Sequence, residues 1–415
     1  MLDSKLSASI GQPFSIKNVE DIEPWEYYEA LRGDGPIVWD TQMNAWAVLG
    51  FEECAFIEMN EDRFRNPYQT VPPVVVEIKG GGRNITLLSG EEHMRMRRFF
   101  LKLMTPPLVE GYRNNQVAPT INMLMKRILA KGTGKADLTA EFGDQIPPRV
   151  IAALLGMPWE DDAMVARILH LHEEIMEVIG SGFATEDIRQ KGLRVSKDIN
   201  DMLLPYIRDR KANPRDDFIS RVWTEAPSEF GDDLTEEDVV AICRELFLGG
   251  ADTTVHGIAN ILYLVLTNAD IRAAVEADRK TALSSAVEES MRLYGSVMYR
   301  FRVANDDCTI AGTEVKRDQR LILLHSAANR DPGKYACPHA ADLARKPAAD
   351  HLAFNKGPRS CVGMGLARAE MRDAVSAVLD NLSNVRLDPE AEQPGFKSLF
   401  MRSWRPLNVV FDVAR

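Results

Sequence analysis

The segment Phe354-Asn-Lys-Gly-Pro-Arg-Ser-Cys-Val-Gly363 constrains the fold of this chain more than any other part of it. Its glycines and proline predict a tight loop, and the apolar spacing from Val362 to Asn381 predicts a helix directly after it. Cys361 would then lie at a helix N-terminus, where unpaired N–H groups and the helix dipole stabilise a thiolate. Arg359 could pair with an anion beside the sulfur. Taken alone, the segment fits an ordinary buried thiol better than a reactive one.

The composition narrows the class of protein. Of 415 residues, 45% are hydrophobic and 27% charged, which is typical of a globular chain. The net charge of −11 argues against a nucleic-acid partner. The five cysteines are odd in number, widely spread and without a CxxC pair, so we expect a reducing cytoplasm rather than a disulfide framework. Residues 1–12 lack the apolar segment of a signal peptide, and no apolar run is long enough to span a membrane.

Most of the chain has helical periodicity, and short strand-like pieces are confined to its two ends and to residues 296–325. This pattern predicts a mainly α fold with a minor β portion, formed as a single domain over residues 1–415 with a loosely ordered tail at 1–20. The irregular stretch 66–88 is too apolar for a solvated linker, and we interpret it as a lid over a substrate pocket. Residues 224–234 are predicted to form a polar loop. The predicted helices are 91–104, 107–131, 139–155, 160–180, 183–211, 216–222, 235–268 and 281–294.

The helix predicted over 235–268 carries Gly249-Gly-Ala-Asp-Thr-Thr254 near its centre. Glycine costs roughly 1 kcal/mol in a helix interior, and threonine and aspartate compete there for backbone hydrogen bonds. Such a sequence suits a flat ligand lying against the backbone, with a hydroxyl and a carboxylate to handle protons. It also suits a close contact between helices.

Two further motifs are weak on their own. Glu289xxArg292 has the spacing of an ordinary ion pair on a helix surface. His93xxxArg97 places two basic side chains on one helix face, which is also common on solvated helices. Neither motif indicates a function without the others.

Together and in this order, these motifs and the cysteine loop resemble the cytochrome P450 superfamily, in particular its soluble bacterial members. The resemblance extends from about residue 20 to the end of the chain. It implies the P450 fold, in which a long central helix lies over a haem and the cysteine loop lies on the proximal side. Ala328-Asn-Arg-Asp-Pro332 also matches the family pattern.

The resemblance implies a role for each matching residue. Cys361 would be the axial thiolate ligand of the haem iron, which favours O–O cleavage. Asp252 and Thr253 match the acid–alcohol pair that supports proton delivery to dioxygen. Glu289 and Arg292 would form a structural ion-pair network with Arg345. The implied cofactor-binding residues are His93, Arg97, Gly249, Arg302, Phe354, Gly357, Arg359, Cys361 and Gly363, of which His93, Arg97, Arg302 and Arg359 would bind haem propionates.

Three positions depart from the family pattern. Asn355 stands where many members have glycine, which affects only the local turn. Arg359 replaces the histidine of many bacterial members and keeps the propionate role. The stretch 294–301 lacks the usual proline after the ExxR motif, which could alter the pocket wall.

The predicted substrate pocket draws on the lid, the long helix and two later segments. Glu245 is unusual there, because the family has a small or apolar residue at its position. It would either contact a polar group of the substrate or pair with a cation such as Arg83. The pocket residues are Val76, Ile85, Leu87, Leu88, Glu245, Leu248, Gly249, Val297, Met298, Phe400 and Met401.

The implied activity is that of a haem-thiolate monooxygenase, which inserts one oxygen atom from O2 into a hydrophobic small molecule. The cofactor would be haem b with no bound flavin, because the haem domain uses the whole chain. Electrons would come from a ferredoxin-type donor and an NAD(P)H-dependent reductase. Arg95, Arg98 and Lys102 would form a local basic docking patch for that donor. We expect no nucleic-acid or membrane partner, and we assume a monomer.

Two alternatives remain open at this point. One is a haem-thiolate enzyme that uses peroxide or does not oxygenate its substrate; such enzymes often lack an acid–alcohol pair like Asp252 and Thr253. The other is a non-catalytic haem-binding sensor.

Overall fold

A computed structural model of the protein describes residues 15–413 apart from 21, 82, 181–184, 232–233 and 399. Its helices form most of the fold, and the bounds are as follows. The α-helices of the described residues are α1 (Trp25–Arg32), α2 (Phe51–Met59), α3 (Pro73–Ile78), α4 (Gly90–Leu103), α5 (Pro106–Tyr112), α6 (Ala118–Ala130), α7 (Ile146–Leu154), α8 (Asp162–Gly180), α9 (Glu186–Ala212), α10 (Phe218–Phe230), α11 (Glu236–Gly250), α12 (Asp252–Thr267), α13 (Ala269–Ala277), α14 (Thr281–Tyr294), α15 (His325–Ala328) and α16 (Met364–Asn381).

The strands are short and form four small sheets. They are β1 (Ile37–Asp40), β2 (Ala45–Val48), β3 (Phe64–Arg65), β4 (Lys135–Asp137), β5 (Arg300–Ala304), β6 (Cys308–Ile310), β7 (Thr313–Val315), β8 (Arg320–Leu323), β9 (Ser383–Leu387), β10 (Gly395–Phe396), β11 (Trp404–Arg405) and β12 (Asn408–Asp412). The largest sheet has the order β1-β2-β8-β5-β3, in which β2 and β8 are parallel and the other neighbours antiparallel. The others are β4-β12-β9 and the pairs β6–β7 and β10–β11.

Helix α12 lies at the centre of the helical part. It packs against α14, α16 and the turn Gly143–Gln145, and its apolar side chains between Ile258 and Leu266 belong to the main hydrophobic core or pack against it. Because α14 carries the ExxR motif and α16 follows the cysteine loop, this packing assembles three distant motifs around one helix. The predicted mainly α fold with a minor β portion is confirmed.

The long helix predicted over 235–268 begins and ends as expected but is interrupted in the middle. Thr235 caps α11 in a reciprocal capping box with Asp238. The regular helix stops at Ala251 and resumes at Asp252. The Thr253 hydroxyl donates to the carbonyl oxygen of Gly249 at 3.0 Å, so a side chain competes with the backbone ladder at this point.

Two other predictions are wrong in detail. The stretch 66–88 is not wholly irregular, since it contains the 3₁₀ turn Pro67–Thr70 and helix α3. The polar loop predicted from residue 224 begins only after Phe230, because α10 continues through Pro227.

The loosely ordered tail at 1–20 stays a prediction. Residues 1–14 lie outside the described residues, and Ile16–Val19 form a 3₁₀ turn whose two apolar side chains are buried.

Within the described ranges, no single helix is both long and apolar enough to cross a bilayer. By length and composition alone, the segments Glu236–Thr267 and Ala269–Ala277 would qualify as a pair, with a bend of 100° between them.

Candidate active site

The cysteine loop has the tight geometry that its sequence predicts. The backbone N–H of Cys361 donates to the carbonyl oxygen of Phe354 at 2.8 Å and closes the loop. Gly357 has φ +68°, and a Cβ there would lie 2.8 Å from the carbonyl oxygen of Glu58 in α2. Asn355 has φ +57°, a left-handed conformation that asparagine tolerates better than most residues. Asparagine therefore replaces the family's usual glycine without changing the turn.

The Cys361 thiol lies deep in the protein, although the residue as a whole is only partly buried. Burial raises the pKa of its thiol. The N–H of Gly363, just before α16, opposes this rise, as do the guanidinium groups of Arg300, Arg97 and Arg368. The helix N-terminus thus acts on the sulfur in the expected direction, but in the protein alone desolvation is the larger effect.

Basic side chains surround this sulfur. Arg97 donates to the carbonyl oxygen of Ser360 and, at 2.7 Å, to its hydroxyl. Arg302 is only 5% exposed and donates to the carbonyl oxygen of Phe301 at 2.8 Å. Burial is the main cause that lowers the pKa of both guanidinium groups. Arg97 is half-buried and Arg302 is buried, and a buried cation normally has an anion close by.

His93 and Arg359 complete the basic cluster. Burial, together with the charges of Arg359 and Arg97, lowers the pKa of His93 to about 4, and its Nδ1 has no hydrogen-bond partner among the described residues. Arg359 donates through Nε to Glu61 at 2.8 Å and through Nη2 to the carbonyl oxygen of Leu88 at 2.7 Å. The expected propionate ligand Arg359 is therefore bound to a carboxylate of the protein itself.

Arg300 is a basic residue that the sequence reasoning missed. It lies two positions before Arg302 on β5, so both side chains leave the same face of the strand. Burial lowers the pKa of its guanidinium, while Glu58 and Cys361 oppose the shift. The spacing of Arg300 and Arg302, two positions apart on a predicted strand, was the pattern in the sequence that could have indicated this role.

The two glycines of the long helix have different surroundings. A Cβ on Gly250 would lie 2.4 Å from Cδ1 of Ile151 in α7, so Gly250 permits a close contact between helices. A Cβ on Gly249 would meet nothing within 4 Å. The sequence left two explanations for these glycines, a close contact between helices and room for a flat ligand. Gly250 fits the first explanation, and Gly249, which borders open space, fits the second.

The predicted acid and alcohol lie directly after these glycines. Thr253 is held on the carbonyl oxygen of Gly249, as described above, and its own carbonyl oxygen accepts from the Ser296 hydroxyl at 2.7 Å. The Asp252 carboxylate lies 3.7 Å from Nε2 of His256, one turn later on α12. Asp252 keeps 28% of its side-chain surface exposed, so it remains accessible to solvent.

The ExxR motif lies in a fully buried network. Glu289 binds Arg292 through two hydrogen bonds of 2.8 Å and accepts from Nε of Arg345 at 3.0 Å. Arg292 also donates to the carbonyl oxygen of Asn329, whose side-chain oxygen accepts from the N–H of Leu352 at 2.7 Å. The network therefore reaches the segment that leads into the cysteine loop.

Glu288, the neighbour of Glu289, forms a second ion-pair network, which the sequence analysis did not predict. Its carboxylate binds Arg368 of α16 at 2.6 and 2.8 Å and lies 3.1 Å from Nε2 of His351. Hydrogen bonds to both lower the pKa of Glu288 to about 2, although burial opposes the shift. Arg368 in turn lies 4.6 Å above the ring of Phe354. Glu288 thus ties α14 and α16 to the start of the loop.

The predicted pocket residues fall into two groups. Most are not fully buried and keep some accessible surface: Val76, Ile85, Leu87, Leu88, Glu245, Leu248, Gly249, Phe400 and Met401. Val297 forms an isolated β-bridge with Met401 and is 8% exposed. Met298 is 1% exposed, and its backbone bonds to Phe400 and Ser326. Met298 therefore lies in the hydrophobic core, and its place in the substrate pocket stays a prediction.

Glu245 lies beside a cation, as one of the two expectations has it, but that cation is Lys79 and not the example Arg83. Arg83 lies 4.0 Å from Asp238 and over the ring of Phe230. The neighbours of Glu245 are the Asn84 side chain, which hydrogen-bonds to it, and the Lys79 ammonium. Burial raises the pKa of Glu245 and lowers that of Lys79 to about 8.

The predicted docking residues Arg95, Arg98 and Lys102 are all exposed on α4. Two of them have acidic partners: Arg98 lies 2.9 Å from Glu91, and Lys102 contacts Glu229. Their positive charge is therefore partly compensated on this face.

A comparison with protein families decides what this assembly is. The family model described as "Cytochrome P450" matches residues 55–408, which include all four motifs.

The chain belongs to the cytochrome P450 family.

Curated relatives of this P450 span nearly its whole length. Pulcherriminic acid synthase of Bacillus subtilis (strain 168) is 27% identical over 94% of this chain and 96% of its own. Cytochrome P450 monooxygenase PikC of Streptomyces venezuelae is 28% identical over 96% of this chain and 93% of its own. The relatives are bacterial monooxygenases and hydroxylases, and this P450 is likewise an oxidoreductase of the monooxygenase class.

Solved structures agree with the fold. P450BioI in complex with a fatty-acid-loaded acyl carrier protein superposes with a TM-score of 0.82, at 24% identity over 94% of this chain and 99% of that one. CYP109E1 of Bacillus megaterium in complex with testosterone gives a TM-score of 0.80, at 23% identity over 94% of this chain and 100% of that one.

Membership of the P450 family implies a haem cofactor, and the residues present fit one. A buried polar atom normally has a partner, and Nδ1 of His93 has none among the described residues. Arg97 is half-buried and Arg302 is buried, and the carboxylates of a propionate-bearing ring would neutralise both guanidinium groups. Gly249 leaves room for a flat group beside the long helix.

Proposed function

We propose that this P450 inserts one oxygen atom from O2 into a hydrophobic small molecule, by C–H hydroxylation or a related oxidation. One observation carries the proposal. Cys361 stands at the end of a constrained loop, and the guanidinium groups of several arginines lie near its thiol, in a chain that retains Asp252 and Thr253.

Haem b would be held by side chains on both sides of the cysteine loop. Cys361 would be the iron ligand, with Phe354, Gly357 and Gly363 fixing the shape of its loop. His93, Arg97, Arg302 and Arg359 would bind the propionates, and Arg359 would share its guanidinium with Glu61. When bound, a thiolate-ligated haem supplies the activation of O2.

Asp252 and Thr253 would supply protons. Asp252 is partly exposed, so its carboxylate can exchange protons with solvent. The Thr253 hydroxyl is adjacent and is oriented by the carbonyl oxygen of Gly249. In this role a proton passes from the Asp252 carboxyl to Oγ1 of Thr253 and on toward dioxygen in the pocket, a transfer that contributes typically 10²–10⁴-fold to a rate.

The pocket suits a mainly apolar substrate with one polar group. The side chains of Val76, Ile85 and Leu248 provide apolar surface. Glu245, with Lys79 and Asn84 beside it, places a polar cluster on the long helix one turn before Gly249. A substrate hydroxyl or amide could replace one of these partners, because buried polar groups require a hydrogen bond.

Electrons would come from a ferredoxin-type donor served by an NAD(P)H-dependent reductase. We propose that residues 1–415 form one haem domain without a bound flavin, and that the donor contacts the exposed cations of α4. Arg95 is the strongest candidate among them, because Arg98 and Lys102 already have acidic partners.

Turnover with a surrogate ferredoxin, its reductase and NADH tests the proposal. The expected result is oxygenated product whose new oxygen comes from ¹⁸O2. Product formed with peroxide but not with O2 and NADH would favour the peroxide-using alternative. The absence of product under both conditions, despite a normal haem spectrum and substrate-induced spin shifts, would favour a sensor.

A further inference from the structure

A histidine lies directly behind the proposed proton-delivery acid. His256 follows Asp252 by one turn of α12, and its Nε2 is 3.7 Å from Oδ1 of the carboxylate. This distance is too long for a hydrogen bond, so the contact is one of charge and dipole. His256 lies deep in the protein, and it plays no part in the motifs described above.

The other ring nitrogen of His256 has a close partner. Its Nδ1 lies 2.8 Å from Oγ of Ser403, in the segment just before β11. Ser403 is 2% exposed and also accepts a hydrogen bond from Nε of Arg405 at 3.0 Å. Arg405 is fixed by Asp144, whose Oδ1 accepts from Nη2 at 2.9 Å.

The hydrogen-bond donors and acceptors around Ser403 indicate which ring nitrogen of His256 carries the hydrogen. A serine hydroxyl has one hydrogen to donate, and a buried hydroxyl needs an acceptor for it. Among the contacts of Ser403 in the described part of the chain, Arg405 is a donor only, so the acceptor is Nδ1 of His256. A neutral imidazole whose Nδ1 accepts carries its hydrogen on Nε2, the nitrogen that faces Asp252.

The imidazole is also neutral at ordinary pH. Burial lowers the pKa of His256 to about 4, with the nearby Arg405 acting in the same direction and Asp252 opposing it. Asp252 therefore faces a fixed N–H dipole rather than a second titrating charge.

We propose that His256 is the positioning residue for Asp252: Ser403 holds the neutral imidazole in the Nε2–H tautomer, and this N–H orients the carboxylate beside Thr253. The inference deepens the proposed monooxygenase function and rests on it for its catalytic consequence. Without the Nε2–H of His256, the Asp252 carboxylate would turn toward solvent and transfer protons to the Thr253 hydroxyl less efficiently.

The tautomer can be measured directly. Long-range ¹H–¹⁵N correlation spectra of ¹⁵N-histidine holoenzyme in the diamagnetic ferrous carbon monoxide form report which nitrogen is protonated. The His256 signal is the one lost in His256→Gln. We expect a neutral ring with hydrogen on Nε2, and a shift of the tautomer population toward Nδ1–H in Ser403→Ala. A ring protonated on Nδ1 alone, or on both nitrogens, in the unmutated protein would overturn the proposal.

The functional consequence needs a matched set of variants. His256→Leu removes the N–H, His256→Gln retains an amide donor, and His170→Gln changes an exposed histidine as the control. Product formed per NADH should fall about ten-fold in His256→Leu and recover most of that loss in His256→Gln, because an oriented proton donor acts on the chemical step. Substrate spin shifts should stay unchanged. Product formation driven by iodosylbenzene should also stay unchanged, because this reagent donates an oxygen atom without needing protons.

Equal coupling of NADH to product in His256→Leu and the unmutated enzyme would refute the positioning role. A failure of the proposed function is distinguishable. An enzyme that gives no product with O2, NADH and ferredoxin would remove the catalytic consequence, while the tautomer measurement would still decide the arrangement of His256 and Ser403.

Discussion

At the scale of single residues, the cysteine loop depends on two backbone conformations. Asn355 and Gly357 both have positive φ, two residues apart, so the chain reverses direction just before Cys361. Only Gly357 also faces a close backbone contact, with the carbonyl oxygen of Glu58. This difference explains why asparagine is tolerated at position 355. It also makes a substitution of Gly357 a direct test of the loop conformation.

We predict that Gly357→Ala destabilises the protein by about 1–3 kcal/mol, since alanine is strained at this φ and its Cβ would strike the α2 backbone. The haem content of the purified protein should fall with it. Urea unfolding of the holoenzyme measures the first effect and the Soret absorbance per chain the second. Gly111→Ala, on a helix with open space around it, is the control and should keep or slightly raise stability. Unchanged stability of Gly357→Ala would contradict this account of the loop.

We predict that Glu245→Leu shifts substrate preference toward more apolar molecules, because it leaves Lys79 and Asn84 without a carboxylate at the pocket wall. The measurement is the low-to-high spin shift across a panel of matched substrates with and without one hydroxyl group. Glu245→Gln, which keeps a hydrogen-bonding side chain of the same size, should resemble the unmutated protein more closely. Identical binding spectra for Glu245→Leu and the parent would refute the prediction.

The local motifs were predictable residue by residue, whereas their partners were not. His93, Arg97 and Cys361 each stand in a short pattern that can be read directly from the sequence. Glu61, the partner of Arg359, lies almost 300 residues earlier in the chain, and no local pattern marks it. The same is true of the contact between His256 and Ser403, which exists only after the last strands have packed on α12.

At the scale of elements, the long helix combines a packing contact with an open face. We predict that Gly250→Ala lowers stability by about 1–3 kcal/mol through overpacking against Ile151. Gly249→Ala should keep or slightly raise stability, because alanine favours a helix and meets no neighbour, but it should alter substrate-induced spin shifts.

Thermal or urea unfolding of the two variants makes the comparison. Ile151→Val in the Gly250→Ala background should restore part of the stability, since Ile151 supplies the clashing Cδ1. If Gly249→Ala proved the less stable of the pair, the assignment of the two glycines would be reversed.

Most of the helices and strands were predicted, but β3, β4, β9 and β10 were not, for a physical reason. A helix such as α9 repeats its apolar pattern over 27 residues, so its period is visible. Strands β3 and β10 have two residues each, which is too short for any alternation. They exist because a partner strand is already in place, and that partner is set by the tertiary fold.

At the scale of the whole molecule, Glu288 joins parts of the chain that are far apart in sequence. It connects α14 to His351, before the cysteine loop, and to Arg368, after it. Because its pKa falls from an ordinary 4.5 to about 2 in the folded protein, the folded state binds this proton less tightly than the unfolded state. The resulting stability is fully present above pH 4.5 and is lost as the pH falls toward 2.

We predict that Glu288→Gln costs about 3 kcal/mol of unfolding free energy at pH 7, and that its difference from the parent shrinks between pH 4.5 and pH 2. Denaturant unfolding at a series of pH values measures the difference. Glu173→Gln, an exposed position on α8, is the control and should show no difference at any pH. If the difference in unfolding free energy between Glu288→Gln and the parent stays constant across this range, the charge of the Glu288 carboxylate does not stabilise its network.

The central claim is that the chain is built around a thiolate supplied by Cys361 to a haem iron. The ferrous carbon monoxide spectrum of the purified holoenzyme tests it most directly. We predict the strongly red-shifted Soret band of a thiolate-ligated haem, and its loss in Cys361→Ser. A haem-containing protein whose ferrous carbon monoxide complex lacks that band would contradict the account.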